Sequence, residues 1–375
     1  MDFNKKVRDI LLKILSDRYA KAAGDNLPGR LKNVDIVELS NAQVAEIQRV
    51  WGGVFTKLDL RYWTLYNSLG SYDSLMVPDD LFVRDIIRTL NPIKMVYALQ
   101  TKSNYPFLYQ SINKPATVLR GINGYIYDEN NELVEDKDVI KILSQCGERF
   151  GHSEFIVKPT GSYGGIGVKK IDLREIKNSD ELMSIFDATN RCFVCQELIR
   201  QSKVTAAFNE SSLNTFRVNT LNLSGKISST NILFRHGRNG SIVDNGGSGG
   251  ICCGVTNEGR FTGEAYDTAL NKYDISPFGV PYKDIEIDQV RAIVDYAIMA
   301  HRQYLPMMGH AAWDFGLDEH DNPIFIEVNL GWPGIVIEQL ACKAPIYGDR
   351  TKEVIDYVVK NKHKITWTEF TGDWI

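Results

Sequence analysis

No uninterrupted apolar run in the 375 residues approaches the roughly 20 needed to span a bilayer, so no membrane-crossing helix is expected. The N-terminal stretch MDFNKKVRDILLKILSDRYAKAA scatters charge through its apolar residues and lacks the unbroken core of a secretory signal. An excess of one charge is missing too. The 43 Lys and Arg against 47 Asp and Glu leave −4, too little to draw the whole chain to nucleic acid or an anionic membrane. Six cysteines in a chain this long do not suggest a disulfide framework. Cys192 and Cys195 form a lone C-x-x-C with no second ligand pair, which points to free thiols rather than zinc. Internal repeats, a dinucleotide fingerprint and a Gly-Lys-Ser/Thr P-loop are all absent. What is left is an ordinary globular composition, 43% hydrophobic and 24% charged, and a cytoplasmic protein is the expectation.

Hydrophobic periodicity then divides the chain. Residues 1–90 read as a helical N-terminal region. Phe3, Val7, Ile10, Leu11 and Ile14 make one apolar stripe, expected to pack on the rest of the protein, with a membrane surface as the alternative. Ser40 and Gln43 form a capping box, and another helix runs from Asp79 or Asp80 through Phe82, Ile86 and Leu90 to Asn91-Pro92. Residues 91–150 read as an α/β subdomain: a strand over Lys94 to Leu99, a strand and hairpin within PATVLRGINGYIYDENNEL, and a helix over 136–146 closed by Gly147. Residues 151–200 form a small lobe and 201–350 a large one, with a C-terminal helix and tail over 351–375. The helix from Ile287 to Leu305 has the clearest stripe, and His301 on it reads as a core histidine.

Chemistry concentrates in four places. The stretch from Ala311 to Gly334 reads as two strands joined by a polar turn. Strand alternation puts Asp314 on one face of the first strand, and Glu327 and Asn329 on one face of the second. If the strands pair, these three oxygen-bearing side chains converge, a donor set suited to magnesium; a solvated acidic face is the alternative. Lys158 ends a strand, and the loop after it holds Gly161, Ser162, Tyr163, Gly164, Gly165 and Gly167, letting backbone N–H groups approach an anion. An empty glycine-rich hairpin is the alternative there. Arg217 and Asn219 share a strand face, and a buried arginine needs an anionic partner, either a ligand phosphate or carboxylate or a structural carboxylate. A second glycine loop, Asp244 to Gly250, follows Arg235-His236-Gly237-Arg238 and reads as a lid, an anion nest or a plain turn.

These passages occur in the order of the ATP-grasp superfamily. The chain most resembles its sugar-transfer-associated family, on LNTFRVNTL, VDNGGSGGI and FIEVNLGWPG, with TKSNYPFLY upstream. The resemblance implies an α/β (α+β) ATP-grasp fold, two lobes gripping ATP. It implies that Lys158 and Lys102 bind the nucleotide phosphates, that Gly161 to Gly167 is the flap over them, and that Gln196, Glu197 and Leu198 form the adenine hinge. Arg217 then neutralises the transferred phosphate, with Asn219 beside it, and Asp314, Glu327 and Asn329 hold Mg2+. The sequence departs from many relatives by Thr101, where they carry an acid before the lysine, and by its helical first region.

The expected function is ATP-dependent ligation of a carboxylate to an amine through an acyl phosphate, in bacterial surface-polysaccharide synthesis. The carboxylate would be a uronic acid or nucleotide sugar, and the amine partner an amino acid or simple amine. A kinase that stops at phosphorylation and a non-catalytic nucleotide-binding scaffold are the alternatives. His236 is a general-base candidate by location alone.

Overall fold

A computed structural model describes residues 27–53, 58–161 and 164–362, together with scattered positions before Leu27. Two antiparallel sheets carry it. The first contains β1 (Thr117–Ile122), β2 (Tyr125–Asp128), β3 (Leu133–Val134), β4 (Glu154–Pro159), β5 (Lys169–Asp172) and β6 (Phe193–Glu197), in the order β3-β2-β1-β6-β4-β5. The helices Val139–Phe150 and Ser179–Asp187 share a core with it through Leu143, Leu182 and Phe186 against Phe155, Val157 and Phe193.

The second sheet contains β7 (Thr215–Leu223), β8 (Lys226–His236), β9 (Ile251–Val255), β10 (Phe261–Tyr266), β11 (Lys272–Tyr273), β12 (His310–Leu317) and β13 (Pro323–Asn329). Its order is β11-β10-β9-β8-β7-β12-β13. Alternation sends Phe216, Val218, Phe234, Trp313 and Phe315 into a core with the helix Gln289–Tyr304. Leu221, Leu233 and Cys252 point the other way, into a core with the helix Val336–Cys342 and the helical N-terminal region. Gly254 permits that close helix packing: a Cβ there would lie 2.4 Å from the Ala341 carbonyl oxygen.

Ser224 and Gly225 join β7 to β8 with φ of 54° and 82°, the left-handed pair a tight hairpin turn needs. The turn and a bulge between Val218 and Thr220 fix the register, setting Arg217 opposite Leu233 and Thr215 opposite Arg235. Asp314 of β12 lies between Arg217 and Glu327, its partners on β7 and β13.

The capping box forms as expected, with the Gln43 N–H donating to Ser40 and the Gln43 side chain accepting from the Ser40 N–H. The Asp79 helix also forms, continuing through a π turn at Phe82–Ile86 to Leu90. Two local expectations are corrected. Lys94 to Leu99 is not a strand but part of the helix Ile93–Gln100; Met95, Ala98 and Gln100 favour helix, and Pro92 starts it. Gly147 does not close its helix. It is buried inside Val139–Phe150, and Gly151 ends that helix in the left-handed conformation at φ 75°. In the N-terminal stripe, Phe3 and Leu11 lie outside the described residues, and Val7, Ile10 and Ile14 are exposed rather than packed. Among the described residues, no helix is long and apolar enough to cross a membrane.

Candidate active site

The two sheets face each other across a cleft of about 1240 Å³. Of the residues singled out from the sequence, Lys102, Lys158, Gly161, Gly164, Gly165, Glu197, Leu198, Arg217, Asp314, Glu327 and Asn329 line it. Gly167, Gln196 and Asn219 do not. Gln196 is buried and donates to the Thr117 hydroxyl at 3.1 Å, while Gly167 packs on Pro159. Asn219 shares the Arg217 face, as expected, but its amide is bonded to the buried Glu338 behind the cleft lining. Ser162 and Tyr163 lie outside the described residues.

The floor is a buried chain of opposite charges. Asp314 accepts two 2.8 Å bonds from Arg217, the bidentate geometry that fixes a guanidinium plane. The third guanidinium nitrogen of Arg217 donates to the Pro333 carbonyl at 2.9 Å. Asp314 also meets Arg235 at 3.3 Å, and Arg235 reaches Asp244 at 3.2 Å. Asp244 in turn accepts from the Thr215 hydroxyl. The Arg217 partner left open by its sequence is therefore, at least in part, a structural carboxylate.

Lys102 and Glu327 pair at 2.5 Å beside this chain. Burial pushes the Glu327 carboxyl upward, but the Lys102 charge outweighs it and holds the group well below the usual carboxylate range. Lys158 stands apart, with no ion-pair or hydrogen-bond partner among the described residues. Burial, reinforced by the Lys102 charge, lowers its ammonium to about 8. Lys102, Lys158, Arg217 and Arg235 meet the carboxylates of Asp244, Asp314 and Glu327; the nearby Glu338 is raised by burial to about 8 and is uncharged at neutral pH, so this cluster has one positive charge to spare and suits an anion.

Gly164, Gly165 and Gly167 all sit at positive φ, from 72° to 78°. A Cβ on Gly165 would come within 3.1 Å of Val243, and the Gly164 carbonyl accepts from Ser248 at 2.7 Å. The glycine loop of the first sheet thus rests on the second glycine loop. At the other end of the cleft, Glu197 accepts from the Ala116 N–H at 2.8 Å, next to Leu198.

Asp314, Glu327 and Asn329 share one sheet face, and the Asn329 amide lies 3.4 Å from the Asp314 carboxylate. Glu327 and Asn329 offer hard oxygens that fit Mg2+. Asp314 already has both oxygens bonded to arginines, so its use by a metal requires one of those bonds to lengthen. Among the described residues, no group of three or more His, Cys, Asp or Glu is arranged to hold a metal ion; this trio includes an asparagine.

His236 is not placed for catalysis. It is buried on the opposite face of β8, with Nδ1 at 2.8 Å from the Gly237 carbonyl and Nε2 at 2.6 Å from the Tyr282 hydroxyl. A carbonyl only accepts, so Nδ1 carries the proton and Nε2 accepts from Tyr282. Burial lowers its pKa to about 4. His301 is a satisfied core histidine, bonded to the Met308 carbonyl at 2.9 Å and facing the Thr220 hydroxyl at 2.7 Å.

Sequence reasoning missed Arg235, Asp244 and Glu338 as parts of this assembly. Counting alternation through the Ser224-Gly225 turn alone would put Arg235 on the face opposite Arg217; only the bulge between Val218 and Thr220 brings it to the Arg217 face, and the sequence carries no signal for that bulge. Asp244 and Glu338 come from a loop and a later helix, with no periodic signal toward the sheet.

No curated protein matches the chain in sequence. Solved structures similar to it include D-alanyl-alanine synthetase A from Vibrio cholerae O1 biovar eltor, at 13% identity over 73% of this chain and 67% of that one, with a TM-score of 0.41. The D-alanine-D-alanine ligase from Coxiella burnetii is similar at 12% identity, over 73% of this chain and 60% of that one, with a TM-score of 0.41. An L-amino acid ligase from Bacillus licheniformis is similar at 15% identity, over 75% and 52%, with a TM-score of 0.42. The family model described as sugar-transfer associated ATP-grasp matches residues 82–354, which take in both sheets and every residue of the charged floor. The chain belongs to the sugar-transfer associated ATP-grasp family.

Proposed function

We propose that the protein is an ATP-dependent carboxylate–amine ligase that forms an amide through an acyl phosphate, acting in the cytoplasm in the synthesis of a surface polysaccharide. The observation that carries this is the spare cation, Lys158, held under a glycine flap beside the Lys102–Glu327 pair and the Arg217–Asp314–Arg235 chain. Such an arrangement recruits a polyphosphate and leaves an arginine pointed at the group being transferred.

A carboxylate is a poor electrophile because its charge resists attack. Its oxygen instead attacks the terminal phosphorus of ATP, the bond to the bridging oxygen breaks, and ADP leaves with that electron pair. An amine then attacks the acyl carbon of the mixed anhydride; the bond to the phosphate oxygen breaks, and phosphate departs with that electron pair and with the proton the amine nitrogen gives up. Lys158 and Lys102 hold the phosphates, while Arg217 neutralises charge on the phosphoryl group and then on the tetrahedral oxyanion. Gly161 to Gly167 exclude water that would otherwise hydrolyse the anhydride. Glu197 and Leu198 border the adenine end. Glu327 and Asn329, joined by Asp314 if an arginine bond yields, would hold Mg2+, which supplies Lewis-acid neutralisation of the phosphate oxygens.

A screen of ADP release over pairs of carboxylates and amines, with product mass analysis, tests this. Release that needs both partners, with an amide product, supports ligation. A stable phosphorylated acceptor formed without amine would replace it with a kinase, and no ADP from any pair would leave the scaffold.

A further inference from the structure

The cleft continues past the charged floor toward two aromatic side chains that the chemistry above does not use. Trp332 and Tyr97 both line it, and both are exposed, at 44% and 62%. Exposed rings on a loose surface would carry little meaning, but the backbone that bears these is fixed. Pro333, the next residue after Trp332, gives its carbonyl to Arg217 at 2.9 Å. Leu330, two residues before, donates its N–H to the Gln100 side chain at 3.2 Å and gives its carbonyl to the buried Asn91 amide at 2.7 Å. Gly331 lies against Val96, where a Cβ would stand 3.6 Å away. The Trp332 loop, the helix Ile93–Gln100 that carries Tyr97, and the catalytic arginine are therefore bolted together.

The indole is pinned as well. Its Nε1 donates to Asp79 at 3.3 Å, and that carboxylate is buried at the start of its own helix. An indole held by its polar edge keeps its large apolar face available. A rigid aromatic face inside a polar cleft is an uncommon use of surface unless something stacks on it.

We propose that Trp332, with Tyr97, is the specificity-determining wall for the carboxylate substrate, and that this substrate bears its carboxylate directly on a ring, as a hexuronate does. This rests on the ligase reading. The carboxylate must sit at Arg217, and the residue beside the arginine's own carbonyl partner is Trp332. Substrate atoms that extend from the carboxylate along this side of the cleft meet the indole. A pyranose ring presents a face of C–H groups there and keeps its hydroxyls at the wet edge. An acyclic dicarboxylate presents a thin chain that covers little of the indole.

Saturation-transfer NMR on the full chain without nucleotide, using D-glucuronate and glutarate as probes, tests the proposal. Glucuronate ring protons should receive saturation several times stronger than glutarate methylenes at equal concentration. Trp332→Ala should cut the glucuronate signal about tenfold, and Trp332→Phe should restore most of it. MgATP affinity of Trp332→Ala by calorimetry should stay within twofold of wild type, which separates a lost wall from a misfolded chain. Equal transfer to both probes, no transfer to either, or a Trp332→Ala signal equal to wild type overturns it. Absence of MgATP heat in the wild-type protein would remove the ligase reading instead, while the NMR comparison would still decide the ring site.

Discussion

Lys158 offers the sharpest test of the nucleotide site, because its proton and the ligand should be linked. In the free protein, burial and the facing Lys102 lower its ammonium to about 8 from the usual 10.5. Phosphate oxygens placed beside it would favour the charged form and restore the pKa toward or above the ordinary value. The sign follows directly. Below pH 8 the lysine is already charged, and MgATP binds without proton uptake. Above pH 8 the lysine must collect a proton as the ligand arrives, so affinity falls as pH rises. At pH 7 about nine-tenths of the free protein carries the charge, and at pH 9.5 about 3% does, so affinity should drop about thirtyfold over that interval. Calorimetry at pH 8, in buffers of different ionisation enthalpy, should report uptake of about half a proton per MgATP. Lys158→Met should abolish the uptake and flatten the pH dependence, and should weaken binding at pH 7 by about 1.5–3 kcal/mol, the worth of a charge-assisted bond. Unchanged affinity between pH 7 and 9.5 in the wild type would refute the reasoning, because it would mean that no ligand charge meets this lysine.

Other outcomes follow from the same geometry. Glu327→Gln keeps the side-chain shape but loses the charge, so ADP release should fall by on the order of a hundredfold or more while the circular dichroism spectrum stays native. Burial raises the Glu338 carboxyl from 4.5 to about 8, so the stability it contributes is full below pH 4.5 and is lost as pH rises through 8. Glu338→Gln should therefore be the more stable protein at pH 9, by roughly 5 kcal/mol at most, and the difference should shrink toward pH 5 in urea titrations. Gly254→Ala puts a methyl 2.4 Å from the Ala341 carbonyl oxygen, and should cost about 1–3 kcal/mol in a denaturant titration through displacement of the helix Val336–Cys342.

What could be read from the sequence, and what could not, follows the reach of each interaction. Alternation is local, so the strands bearing Arg217, Asp314 and Glu327 were legible, and so was the shared face of Asp314, Glu327 and Asn329 once the hairpin pairing was assumed. Helix Gln289–Tyr304 was legible for the same reason. Lys94 to Leu99 was misread because a short apolar run fits either period, and only the Pro92 start and the weak strand propensity of Met95, Ala98 and Gln100 decide it. The partner of Arg217 lay beyond local pattern altogether. Asp314 is 97 residues away, and the two arginines that converge on it approach from strands whose register depends on one hairpin turn and one bulge.

That convergence also changes the chemistry expected of Asp314. A carboxylate with both oxygens given to guanidinium groups is first an aligner of Arg217 and Arg235, and only secondarily a donor to a metal. Glu327 is held by a single lysine, whose pairing a phosphate can take over, leaving the carboxylate free. The two acids look equivalent as letters on adjacent strands, yet their partners separate them. The nucleotide's own phosphates would release Glu327, whereas Asp314 would keep Arg235 even where Arg217 turns to the phosphoryl group.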